Sequence, residues 1–141
     1  MTASTPPAVK RFRPVTGGGV PYSPLPFSQG VRANGFVFVS GQASVDEAGR
    51  LLPGTVEEEI RRTFDRVRRV LAAAGLGFDD VVQVRSYLER AEDFETYNRI
   101  YRELFREPYP ARTTLFGCLG GLVKFEIDVV ALDGTGNGNG V

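Results

Sequence analysis

The 141-residue chain contains no histidine and only one cysteine. Without histidine, every His-based triad, every imidazole base and every His-ligated metal site is excluded. The lone Cys118 forms neither an intramolecular disulfide nor a Cys-rich metal centre, and it reads as a small buried hydrophobe. No apolar run approaches the roughly 20 residues of a spanning helix, so no membrane role is expected. No basic segment followed by an apolar one opens the sequence, which makes the cytoplasm the expected compartment. An excess of either charge is also missing, since 17 Lys+Arg balance 17 Asp+Glu. That argues against a nucleic-acid partner, because a basic face supplies most of such attraction. Arg61, Arg62, Arg66, Arg68 and Arg69 do cluster, but they alternate with apolar helix positions and read as a solvated face.

What is present is the composition of an ordinary globular protein, 42% hydrophobic and 24% charged, at a length that suits one domain. A core of this size is modest, and oligomerisation would help it. Residues 9–12 read as a short edge strand before Pro14. Gly17, Gly18 and Gly19 with Pro21, Pro24 and Pro26 make a loop without a regular ladder. The triple glycine lacks the Lys-Ser/Thr and the helix of a phosphate-binding loop. Asn34-Gly35 between residues 28–33 and 36–40 is a hairpin signal. Residues 36–39 are apolar on both faces, as a strand covered on both sides needs. A further turn follows at residues 46–49.

Thr55 and Glu58 form a capping box, and Val56, Ile60, Phe64, Val67, Leu71 and Ala74 repeat at helical spacing until Gly75. Residues 81–88 read as a strand by their β-branched content. A second helix runs from about Asp93 to Phe105, with Phe94, Tyr97, Ile100, Tyr101 and Leu104 on its apolar face and Pro108 and Pro110 beyond its end. Residues 111–118 and 123–132 read as strands around a Gly120-Gly121 turn. From Gly134 onward the chain reads as a Gly-rich tail. This order predicts an α+β or mixed α/β fold, one sheet with two helices on one face. The other face remains apolar and is expected to pack against other copies.

Residues 36–42 (Phe-Val-Phe-Val-Ser-Gly-Gln), Asp93-Phe94 with Tyr97-Asn98, Pro110-Ala111-Arg112-Thr113 and Lys124-Phe125-Glu126-Ile127-Asp128 occur in this order. Their sequence and spacing resemble the reactive intermediate deaminase (Rid) family, over roughly residues 21–132. The resemblance implies a chorismate-mutase-like α+β fold and a homotrimer with an inner β-barrel, whose active sites lie between subunits. It divides the chain into an N-terminal extension (residues 1–20), a Rid-like domain (21–132) and a tail (133–141). It also implies hydrolysis of 2-imino or enamine acids to 2-keto acids and ammonia, with no metal and no organic cofactor.

Onto this chain the resemblance carries Arg112 as the carboxylate anchor, whose rigid fork of donors matches a carboxylate bidentately. Glu126 becomes the group that orients water, on the strand face opposite Phe125 and Ile127 and alongside Lys124 and Asp128. Asn98, Ser40, Gly41, Phe27 and Thr114 become the pocket lining. Three positions depart from the family pattern. Phe27 stands where many members have tyrosine, Thr114 where many have cysteine, and Leu119-Gly120-Gly121-Leu122 replaces the usual turn. A hydrolase for another metabolite, or a carboxylate- or partner-binding module without turnover, are the alternatives.

Overall fold

The computed structural model describes residues 4–134; the expected tail from residue 135 onward lies outside them. In chain order the elements are β1 (Arg13–Pro14), β2 (Gly30–Ala33), β3 (Phe36–Ala43), α1 (Val56–Ala73), β4 (Val81–Leu88), α2 (Phe94–Leu104), β5 (Ala111–Phe116) and β6 (Phe125–Leu132). The strands form one six-stranded mixed sheet in the order β1-β2-β3-β6-β4-β5. Only β4 and β5 run parallel, because α2 carries the chain back between them. Asn34 (φ 52°) and Gly35 (φ 85°) close the β2–β3 hairpin in the left-handed conformations that the turn requires.

Both helices lie on one face. Thr55 and Glu58 cap α1 reciprocally, as their spacing predicts. Ile60, Phe64, Val67, Leu71 and Ala74 are buried against the sheet. The buried arc of α1 is wider than that stripe, however. Glu59, Thr63, Arg66 and Val70 form a second buried row, and each polar member finds a partner. Lys124 Nζ pairs with Glu59 at 3.1 Å, Thr63 Oγ1 donates to the Glu59 carbonyl at 2.6 Å, and Arg66 Nε donates to Gln42 Oε1 at 3.1 Å.

Arg66 is not part of a solvated face; it is 6% exposed, because Gln42 and the Val45 carbonyl accept its donors from below. Lys124 does not stand alongside Glu126, since Glu59 draws both its backbone N–H and its side chain to the helix side. The edge strand is Arg13–Pro14 rather than residues 9–12, anchored where Val15 is buried and bonds Gly30. Cys118 is exposed, not buried, because β5 ends at Phe116 and the chain turns at Gly117 (φ 72°). Within one copy, β3 is covered on one face only: Val37 and Val39 are buried, but Phe38 is 42% exposed. Leu115 and Leu132 are exposed as well.

Phe64 is the centre of the core, with the rings of Phe78, Tyr97, Tyr101, Phe105 and Phe125 all between 5.8 and 6.4 Å from its own. Replacing it with alanine leaves a cavity that five rings cannot close. Phe64→Ala is expected to lower the unfolding free energy by about 3–5 kcal/mol, measured by denaturant titration.

Candidate active site

The parallel pairing of β4 and β5 sets Arg112 beside Val84 and Thr114 beside Ser86. Val84 and Ser86 are fully buried beneath the helices, so Arg112 and Thr114 also point to the helix side. There the Arg112 guanidinium carbon lies 4.7 Å from the ring centre of Tyr101, 5.0 Å from that of Tyr97 and 5.7 Å from that of Phe94. Each such cation–π contact contributes about 0.5–2 kcal/mol. Asn98 Oδ1 accepts from Arg112 Nη2 at 2.8 Å and fixes the plane of the fork. Burial raises the hydroxyl pKa of both Tyr97 and Tyr101, so neither becomes an anion that would neutralise the guanidinium. A cavity of 270 Å³ adjoins the group, lined by Asn98, Tyr101, Arg102, Tyr109, Pro110 and Arg112.

A second cluster occupies the other face. Along β6, Phe125, Ile127, Val129 and Ala131 are buried under the helices, and Glu126 and Asp128 alternate onto the open side, half-buried. Asp128 accepts from Arg85 Nε at 2.8 Å and from the Tyr87 hydroxyl at 2.9 Å. Burial pushes the Glu126 carboxyl above the ordinary carboxylate range, and the neighbouring Asp128 charge adds to the effect. Gly41 lies directly beneath it, where a β-carbon would stand 2.7 Å from Glu126 Oε2. Any side chain there would displace the carboxylate.

The β3 bulge that holds Gly41 is tied down from behind. Ser40 Oγ donates to the Ser28 carbonyl at 2.5 Å, and Gln42 Nε2 donates to Gln29 Oε1 at 2.7 Å and to the Ser40 carbonyl at 3.1 Å. Arg66 holds the oxygen of the same Gln42 amide and so fixes which end faces which partner. A groove of 260 Å³ opens here, with Phe38, Ser40, Gly41, Arg85 and Asp128 among its walls.

The sequence-derived residues therefore divide into two groups. Arg112, Asn98 and Thr114 share the helix side, with Arg112 and Asn98 in contact. Ser40, Gly41 and Glu126 share the open side. β4 separates β5 from β6, so Arg112 and Glu126 of one copy do not meet. Phe27 is exposed in the loop before β2. Helical spacing alone puts Tyr97 and Tyr101 in the apolar stripe and does not show that their rings carry the guanidinium. The signal was present in the 94, 97, 98, 101 spacing, which puts Asn98 among rings on one helix face. The Arg85–Asp128–Tyr87 group was missed because cross-strand pairing is not visible in spacing.

A family model described as Endoribonuclease L-PSP matches residues 20–133. The mitochondrial protein mmf2 of Schizosaccharomyces pombe is 36% identical over 114 residues, covering 77% of this chain and 88% of that protein. A 2-iminobutanoate/2-iminopropanoate deaminase of Bos taurus is 34% identical over 111 residues, covering 77% of this chain and 81% of that one. The solved structure of E. coli TdcF with bound serine superposes with a TM-score of 0.73 at 29% identity, covering 82% of this chain and 95% of that one.

With burial the larger cause and Asp128 the smaller, Glu126 is expected to titrate above 4.5 by carbon-detected NMR. In Asp128→Asn its midpoint falls but stays above that value.

Proposed function

The chain belongs to the Rid family, and on that footing we propose that it hydrolyses 2-imino acids to 2-keto acids and ammonia. The observation that carries the reading is the pair of prepared groups. One is a guanidinium held in one orientation by Asn98 and three rings beside a cavity; the other is a carboxyl of raised pKa held over a glycine. The relative named 2-iminobutanoate/2-iminopropanoate deaminase and the serine bound in the similar E. coli structure both fit a small amino-acid-like substrate.

Because Arg112 and Glu126 lie on opposite faces of one sheet, a site that uses both takes them from different copies. The open face offers the means, since Phe38, Leu115 and Leu132 expose an apolar surface there that a neighbouring copy would cover. We assign the assembly as a homotrimer, as in the resemblance above.

Arg112 binds the substrate carboxylate and holds the imine carbon against a water oriented by Glu126 of the neighbouring copy and by a backbone carbonyl near Thr114. Glu126 takes a proton from the water as oxygen bonds to carbon, and passes it to the imine nitrogen. The resulting carbinolamine gives up its hydroxyl proton by the same route, the C–N bond breaks, and nitrogen leaves as ammonia. A raised pKa suits a carboxyl that must both accept and return a proton. Ser40 and Gly41 shape the floor beneath Glu126, and Phe27 contributes a ring at the rim. The reaction draws only on water, so it suits the cytoplasm and equally the mitochondrion named for mmf2. Among the described residues no helix is long and apolar enough to cross a membrane.

Phe27 favours a second reading, a carboxylate-binding module without turnover, because its ring offers no hydroxyl to substrate or water. One assay separates the two. An amino-acid oxidase generates the imine, semicarbazide traps it, and the enzyme suppresses trapping. Arg112→Ala is expected to lower kcat/KM at least ~100-fold, the loss of two charge-assisted hydrogen bonds of about 1.5–3 kcal/mol each. Arg112→Lys recovers little of it, because a point charge does not replace a fork. Wild-type chain that leaves trapping unchanged for every imine tried overturns the deaminase reading and leaves the binding module and a hydrolase for another metabolite.

A further inference from the structure

The cavity beside Arg112 has a second cation in its wall, and that cation lacks the partners its neighbours have. Of the two arginines in α2, Arg99 is paired with Glu57 at 2.7 Å and with Glu103 at 3.6 Å. Arg106, just beyond the helix, is paired with Asp79 at 2.7 Å. Arg102 has no carboxylate or hydrogen-bond partner among the described residues. It lies one turn along from Asn98, so the helix presents Asn98, Tyr101 and Arg102 together to the cavity.

The chemistry of that wall is one-sided. Two guanidinium groups, one amide, two phenol rings and a proline line it, and no carboxylate does. Two cations that line one small cavity favour an anion that carries a charge toward each of them. One carboxylate on Arg112 leaves the Arg102 charge unmatched. The two arginines also differ in freedom. Arg112 is pinned by Asn98 and three rings, which suits the invariant end of a substrate. Arg102 is exposed on a flexible stem, which suits a group at a variable distance. The volume of 270 Å³ lies below the roughly 300–1,000 Å³ of drug-sized pockets and fits a short metabolite.

We propose that Arg102 is a specificity residue that binds a second acid group, so that the preferred substrates are 2-imino dicarboxylates. This rests on the deaminase reading for the reaction and on the cavity alone for the binding. The reaction that supplies such a substrate is oxidation of an acidic amino acid at its α-carbon, and the product is a 2-keto dicarboxylate. Arg102 also sits in the last turn of α2, where a cation stabilises the helix end. The test therefore reads ligand preference rather than stability.

In the semicarbazide assay, kcat/KM is measured for the imine of aspartate and for 2-iminobutyrate, each generated by an oxidase. Arg102→Ala is expected to lower the ratio of the first to the second at least roughly tenfold, and Arg102→Lys to retain most of it. A ratio that moves less than about twofold in Arg102→Ala overturns the proposal and leaves the deaminase reading intact. A second arm needs no turnover: calorimetric titration with 2-oxoglutarate and with 2-oxobutyrate. If neither imine is hydrolysed but the preference for 2-oxoglutarate depends on Arg102, the deaminase reading falls and the second-acid site stands. If 2-oxoglutarate binds no better than 2-oxobutyrate to the wild-type chain, the site is refuted.

Discussion

Adjacent residues of a strand point to opposite faces, and in a six-stranded sheet covered on one side this alternation governs everything else. Along β6 it sends Phe125, Ile127, Val129 and Ala131 into the core and leaves Glu126 and Asp128 outside. Along β5, locked to β4 by parallel pairing, it turns Arg112 toward the helices. The two residues with the clearest chemistry thus lie on opposite sides of one layer. Neither can be moved without a register slip that would expose a strand's core residues.

The helix layer does more than cover the sheet. α2 supplies the rings and the asparagine that immobilise Arg112, and two of those rings, Tyr97 and Tyr101, belong to the aromatic cluster around Phe64. Rigidity at the anchor is therefore core packing continued outward. α1 acts on the other cluster at longer range. Arg66 orients the Gln42 amide, and that amide holds both Gln29 and the Ser40 carbonyl beside the Gly41 bulge. A buried guanidinium is costly to desolvate, and burial lowers its pKa. Its hydrogen bonds offset part of that cost and specify one arrangement of the bulge.

Local chemistry was legible in the sequence wherever it is written in neighbouring residues. The Asn34-Gly35 turn, the Thr55–Glu58 box and the span of β4 all follow from short patterns. The motif resemblance names both Arg112 and Asn98 as site residues, and the fold brings the two into contact. What failed depends on residues far apart in the chain. Arg66 looks solvated in the sequence because its acceptor, Gln42, is 24 positions away. Strand alternation sets Lys124 beside Glu126 because the pull of Glu59, 65 positions away, leaves no trace in it. Residue type puts Cys118 in the core, whereas Gly117 turns the chain outward. Residues 36–39 did read correctly as apolar on both faces, but one copy covers only one of them.

In the proposed mechanism, catalysis joins Arg112 of one copy to Glu126 of another. Subunit complementation tests it most directly. Arg112→Ala and Glu126→Gln chains, each inactive alone, are unfolded, mixed in equal amounts and reassembled, and imine hydrolysis is measured. In a random mixture about one site in four carries both native groups, so roughly a quarter of wild-type activity returns. Mixed assemblies verified by mass that stay as inactive as their parents would contradict the claim and require Arg112 and Glu126 to act within one chain or not together at all.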